Sequence, residues 1–103
     1  MSGDEVALST LAALLADRTR AKFCLQLLDG RAWTPGELAR SAGVAPSTAT
    51  EHVNQLVAGG LLADERQGRH RYVRLADARA AQVIEDLAAY AVPDGARPER
   101  PTL

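Results

Sequence analysis

Most residue types that support chemistry are scarce in this chain. Its 103 residues include one cysteine, one tryptophan, one phenylalanine, two tyrosines and two histidines. The lone cysteine, Cys24, forms no intrachain disulfide, so the cytoplasm is the simplest compartment. No apolar run approaches the ~20 residues of a membrane span, and no membrane partner is expected. The first residues, Met-Ser-Gly-Asp-Glu, are acidic and lack a basic n-region, so no signal peptide is expected. No histidine–aspartate pair accompanies a nucleophile, and there is neither a phosphate loop nor a metal-ligand cluster. These absences argue against an enzyme.

Excess positive charge is missing too. The formal net charge is −1, which does not look like a nucleic-acid binder. The distribution of charge does. Residues 31–76 carry six basic and four acidic side chains, and acids predominate on either side. Residues 66–74 hold four arginines and no acid. A local basic patch attracts phosphate whatever the whole-chain sum. Lysine is nearly absent as well: Lys22 is the only one beside eleven arginines.

What is present is leucine, alanine and valine, enough for one small domain. Such a core gains from subunit association, which buries more apolar surface. Residues 5–16 are apolar almost all round, through Val6, Leu8, Leu11, Leu14 and Leu15, and predict a helix covered on several sides. One face meets the core and the rest suggests a partner subunit. Asp17 caps a second helix over 18–29, whose Ala21, Cys24, Leu25 and Leu28 repeat at helical spacing before Gly30 stops it. Thr34 and Pro35 open a third helix, with Leu38 and Ala39 inward and Gly43 at its end. Pro46 opens a fourth, running to about Ala58. Strands are predicted at 61–66 and 70–75 around Gln67-Gly68-Arg69. Asp77 caps a last helix, 78–91, with Ala80, Val83, Ile84, Leu87, Ala88 and Ala91 in one stripe. Residues 93–103, rich in Pro, Gly, Arg and Glu, read as a disordered tail after a domain spanning 1–92.

The predicted order is α-α-α-α-β-β-α, a mainly α winged helix-turn-helix with flanking helices. On a helical wheel the fourth helix divides cleanly. Ala49, His52, Val53 and Leu56 fall on the core side. Ser47, Thr50, Glu51, Asn54, Gln55 and Ala58 fall on the other, with Thr48 at the margin. The polar set has donors and acceptors suited to base edges and phosphates. Ser47, Thr48, Thr50 and Glu51 sit nearest the N-terminus, which reaches deepest into a groove; Asn54 and Gln55 follow. Glu51 can accept from cytosine but repels phosphate. Arg66, Arg69, Arg71 and Arg74 surround the hairpin turn, where they would grip the backbone or minor groove. The bland alternative is a solvated ribbon that discourages edge-to-edge aggregation. His52 is read as a partly buried histidine bonded to nearby backbone, because no second His or Cys stands at ligand spacing.

These residues resemble the ArsR/SmtB family of winged-helix transcriptional regulators. The resemblance lies in Leu15-Ala16-Asp17-Arg18-Thr19-Arg20, in Glu37-Leu38-Ala39 and in Ser47-Thr48-Ala49-Thr50-Glu51-His52-Val53. It continues through Leu56 to Leu62, Gly68-Arg69 to Tyr72, and Leu75-Ala76-Asp77, and covers roughly residues 8–90. It implies a symmetric homodimer joined through the first and last helices, here by Leu8, Leu11, Leu15, Val83, Ile84 and Leu87. It also implies a twofold double-stranded DNA operator and, usually, a repressor released by an inducer. The family's usual inducer sites do not carry over. Thr34 and Gly36 stand where metal sensors put thiols, and Asp77, Arg79, Tyr90 and Pro93 stand where others put ligands on the last helix. No cofactor is therefore demanded. Nickel or zinc would be left with His52, His70 and Asp77 as ligand candidates. The competing class is a winged-helix module that binds a second protein, motivated by Glu51 and the near-neutral charge.

Overall fold

Helix ends fall where the capping residues put them. The computed structural model describes residues 2–91. It runs α1 (Gly3–Leu15), α2 (Arg18–Gln26) with a 3-10 turn (Leu27–Asp29), α3 (Pro35–Ala42), α4 (Pro46–Ala58), β1 (Leu62–Gln67), β2 (His70–Leu75) and α5 (Ala78–Tyr90). The predicted order is thus the observed one. The tail expected from residue 93 lies outside the described residues.

Asp17 accepts from the Arg20 amide at 3.0 Å, and Asp77 from the Ala80 amide at 2.8 Å. Each supplies an acceptor that the first turn of its helix otherwise lacks. Thr34 and Glu37 form a reciprocal capping box. The Thr34 amide holds the Glu37 carboxyl below its ordinary range. Gly30 and Gly43 end their helices with φ of 79° and 69°, conformations that a Cβ disfavours. The second helix tightens at Leu27 into 3-10 geometry, so the predicted span 18–29 is a helix of two kinds.

The core is one cluster. Phe23, Cys24, Leu27, Leu38, Ala39, Val53, Leu56, Val73 and Ile84 are all buried in it, drawn from every helix except α1 and from the second strand. Leu11, Leu14 and Leu15 of α1 pack against its edge. The hairpin is antiparallel, with Leu62 opposite Leu75 and Gln67 opposite His70. Its turn is therefore shorter than predicted: Gly68 and Arg69 alone, with Gly68 at φ 62°. A third segment, unexpected from sequence, joins the sheet. Trp33 exchanges two backbone hydrogen bonds with Val73, at 2.9 and 2.8 Å, and pins the hairpin to the loop before α3.

Burial of Cys24 raises its thiol from 9.0 to about 11. The folded state thus keeps a proton that the unfolded chain releases above pH 9. Stability should be unaffected by this group below pH 9 and fall between pH 9 and about 11. Chemical denaturation across that range should show the loss, and Cys24→Ala should flatten it. Phe23→Ala, which empties the centre of the core, should lower unfolding free energy by about 3–5 kcal/mol in the same measurement.

Candidate nucleic-acid interface

Helix α4 follows α3 after three residues, Gly43 to Ala45, and buries Ala49, Val53 and Leu56. That fixes which face is left over. Ser47, Thr50, Glu51, Asn54, Gln55 and Ala58 are exposed, and Thr48 is half-buried at the margin, as the helical wheel predicts. No side chain caps the helix, and Pro46 at its first turn has no N–H. The amides of Ser47 and Thr48 are left at the positive end of the helix, facing outward. Thr50 donates its hydroxyl to Pro46 O at 3.0 Å, so its oxygen is free only to accept.

The hairpin sorts its arginines by strand alternation. Leu62, Asp64 and Arg66 share a face with Arg71, Val73 and Leu75, and Leu62 and Val73 of that face are buried. Arg66 is therefore the outer end of the face that turns toward α4, and Arg69 sits exposed at the turn. Arg74 belongs to the opposite face, beside Tyr72 and Glu65 in a small cleft with Ala32. Arg71 differs from the rest: its side chain is only 17% exposed. It donates from Nε to Asp64 Oδ2 at 2.9 Å and from Nη1 to Asn54 Oδ1 at 2.7 Å. Two residues nominated separately for DNA, Arg71 and Asn54, are thus bonded to each other.

His52 is half-buried, as expected, but its partners are side chains and not backbone. Arg20 Nη1 donates to its Nδ1 at 3.2 Å. A guanidinium can only donate, so Nδ1 is the acceptor and the ring proton sits on Nε2. That atom lies 3.8 Å from Asp17 Oδ1. The Arg20 amide holds the Asp17 carboxyl below its usual range. Phe23 meets the imidazole edge-on at 6.4 Å. Arg20 enters the sequence only as the end of the family motif and Trp33 carries no motif; both act through contacts with residues distant in the chain.

The three metal candidates stay apart. His52 lies on α4, His70 starts β2, and Asp77 is committed to capping α5. Among the described residues no three His, Cys, Asp or Glu side chains are grouped to hold an ion. Cys24, the one thiol, is buried and strongly favours its protonated form. Among the described residues the donors of one chain are not brought together as a metal site.

Apolar surface remains on the flanking helices. Leu8 is 69% and Leu87 46% exposed, and Val6, Leu25 and Tyr90 are open as well. Between α1, α2 and α5 lies an apolar groove of about 470 Å³, lined by Leu15, Leu25, Ile84, Leu87 and Ala91 among others. Leu11 and Val83, on the same two helices, are half-buried. Ile84, nominated for a subunit contact, is buried in the chain's own core, because its position on α5 points at that core and presents only an edge to the groove.

Comparison with known proteins agrees with this layout. A family model described as a helix-turn-helix domain matches residues 15–65. The HTH-type transcriptional regulator YdfF of Bacillus subtilis, itself uncharacterised, is 46% identical over 80 residues, covering 78% of this chain and 35% of YdfF. The chain thus spans about a third of that relative. The HTH-type transcriptional regulator CmtR of Mycobacterium tuberculosis is 36% identical over 83 residues, covering 81% of this chain and 70% of CmtR. The solution structure of CmtR, a cadmium sensor, superposes with a TM-score of 0.66 at 30% identity, covering 90% of this chain and 97% of CmtR. A homodimeric winged helix-turn-helix DNA-binding domain from Mycobacterium bovis shares the fold, with a TM-score of 0.75 at 23% identity over 88% of this chain and 87% of that one. These are families and folds of transcriptional regulators, not of enzymes. On the motifs, the fold and these relatives together, the chain belongs to the ArsR/SmtB family of winged helix-turn-helix transcriptional regulators and is a DNA-binding regulator.

Proposed function

We propose that the chain works as a cytoplasmic homodimeric repressor of a twofold operator. Helix α4 enters the major groove through Ser47, Thr48, Thr50, Glu51, Asn54 and Gln55, and Arg66 and Arg69 hold the adjacent backbone. One observation carries the reading: an exposed polar face on α4 lies beside a hairpin whose near face carries Arg66 and Arg71 and whose turn carries Arg69. A second protein is a weaker fit for this face, since Glu51 is its only acid and the neighbouring hairpin tip is cationic.

Dimerisation follows from the flanking helices. Leu15 of α1 and Leu87 of α5 line an apolar groove, and Leu8, Leu11 and Val83 stand on the same two helices, Leu8 widely exposed. A twofold axis through this patch makes it self-complementary and presents two copies of α4 to successive major grooves. The homodimeric Mycobacterium bovis domain supports this reading. CmtR senses cadmium, but the thiol of Cys24 is buried and no ligand cluster accompanies it among the described residues. We therefore infer that release from DNA here does not use the cadmium chemistry of that relative.

Two outcomes test the proposal. In fluorescence anisotropy with duplexes from the surrounding genomic region, Arg69→Ala should weaken binding of all sequences alike. It should also reduce the slope of log affinity against log salt by about one per half-site. An unchanged slope would remove Arg69 from the phosphate contacts. In sedimentation, Leu8→Glu with Leu87→Glu should give a folded monomer, whose duplex affinity falls about 100-fold or more as the two half-sites become independent. A variant that stays dimeric would place the interface elsewhere.

A further inference from the structure

We propose that Arg71 is not a phosphate ligand but a positioning residue, which fixes the Asn54 amide so that Asn54 selects guanine and rejects adenine. The inference rests on the placement of α4 in the major groove proposed above. It starts from what each group can do. A guanidinium has donors and no acceptor, while a carboxamide has one acceptor oxygen and one NH2 with two donors. Arg71 Nη1 lies 2.7 Å from the Asn54 side chain, so the atom facing it is the oxygen. The NH2 of Asn54 is thereby turned away from the hairpin.

Arg71 is itself not free to move aside. Asp64 accepts from its Nε at 2.9 Å, and the side chain is 17% exposed. Asp64 and Arg71 are diagonal neighbours on the hairpin face that continues to buried Val73. The carboxylate also offsets the guanidinium charge, which weakens any pull from phosphate. The arrangement differs from that of Arg66 and Arg69, both exposed and without a hydrogen bond or ion pair among the described residues. One arginine of the wing is built inward, and it is built onto the recognition helix.

Asn54 lies seven residues after Ser47 and three after Glu51, on the same exposed stripe of α4. Asparagine commonly reads adenine with both ends of its amide: the oxygen accepts from N6–H2 while the NH2 donates to N7. Here Arg71 occupies one lone pair of the oxygen and holds that end of the amide toward the hairpin. The NH2 is then the end left to reach a base, and it needs acceptors. Guanine offers N7 and O6 side by side on its major-groove edge. Adenine offers N7 beside a second NH2, which sets donor against donor. Thymine offers a single O4. The latch therefore converts a residue that reads adenine into a donor that prefers guanine, by opposing the wrong base as well as by attracting the right one.

The experiment is selection from a DNA duplex library with a randomised centre, by the wild-type protein and three variants. The position read by Asn54 is the one whose preference disappears in Asn54→Ala. At that position wild type should prefer guanine by about tenfold or more. Arg71→Ala frees the oxygen and should move the preference to adenine. Asn54→Asp keeps the acceptor for Arg71, removes the donor and should move the preference to cytosine. Thermal melting checks that Arg71→Ala folds; Asn54→Asp, on an exposed residue, carries the test if it does not. Adenine in the wild-type selection, guanine retained by a folded Arg71→Ala, or no position altered in Asn54→Ala would each overturn the proposal. Enrichment of no sequence by wild type would be a different failure, since it removes the major-groove placement of α4 itself.

Discussion

The side chain of Arg20 is the joint on which the arrangement of α1 and α4 depends. The last carbonyls of a helix have no partners within it, and they sit at the negative end of its dipole. Arg20 answers both needs of α1: its Nε donates to Leu14 O at 2.6 Å and its Nη2 to Ala13 O at 3.2 Å. The same guanidinium then reaches across to His52 on α4. Its own amide is fixed by Asp17, so the side chain leaves α2 from a defined point. Three helices meet at one planar, multiply bonded cation. Lysine, with a single flexible ammonium, could not hold that fork.

A second contact reinforces the first. Gly59, just after α4, lies against the Leu14 side chain so closely that a Cβ there would overlap it. Leu14 is thus held through its carbonyl by Arg20 and lies through its side chain on the end of the recognition helix. The proposed dimer surface on α1 begins one residue away, at Leu15, and continues to Leu11 and Leu8. In the dimer proposed here, the spacing between two copies of α4 follows from how two copies of α1 and α5 pack, because α1 and α4 are tied at both His52 and Gly59.

Local rules account for what the sequence makes legible. Asp17, Thr34, Pro35, Pro46 and Asp77 mark helix starts, and Gly30 and Gly43 mark helix ends, because each satisfies a backbone need within a few residues of itself. The inward set of α4 is legible for the same reason: a helix of known phase leaves only one face for Ala49, Val53 and Leu56. The partners of His52, Arg71 and Trp33 are not legible. Arg20 is 32 residues from His52, and Arg71 is 17 from Asn54. Such pairs depend on how elements dock, which no periodicity records. Composition also overstates the wing. It shows four arginines around a turn, but strand alternation sends Arg74 to the far face and Asp64 engages Arg71.

That reduction bears on how a chain of net charge −1 can recognise DNA. Counterion release scales with the number of phosphates neutralised, and it supplies affinity without sequence preference. In the complex proposed above, a hairpin with Arg66 and Arg69 as its exposed cations would supply little of that nonspecific term per subunit. Glu51, on the proposed recognition face, would subtract from it on any sequence that does not offer a donor. The balance would then shift toward base contacts and toward the doubling of contacts in the proposed dimer. A protein so arranged gains discrimination from what it gives up in general attraction, since weak binding to arbitrary DNA leaves the operator with fewer competitors. On that proposal, near-neutrality and an acidic residue on the exposed face of α4, which at first count against a DNA-binding role, become features of a regulator that relies on readout more than on charge.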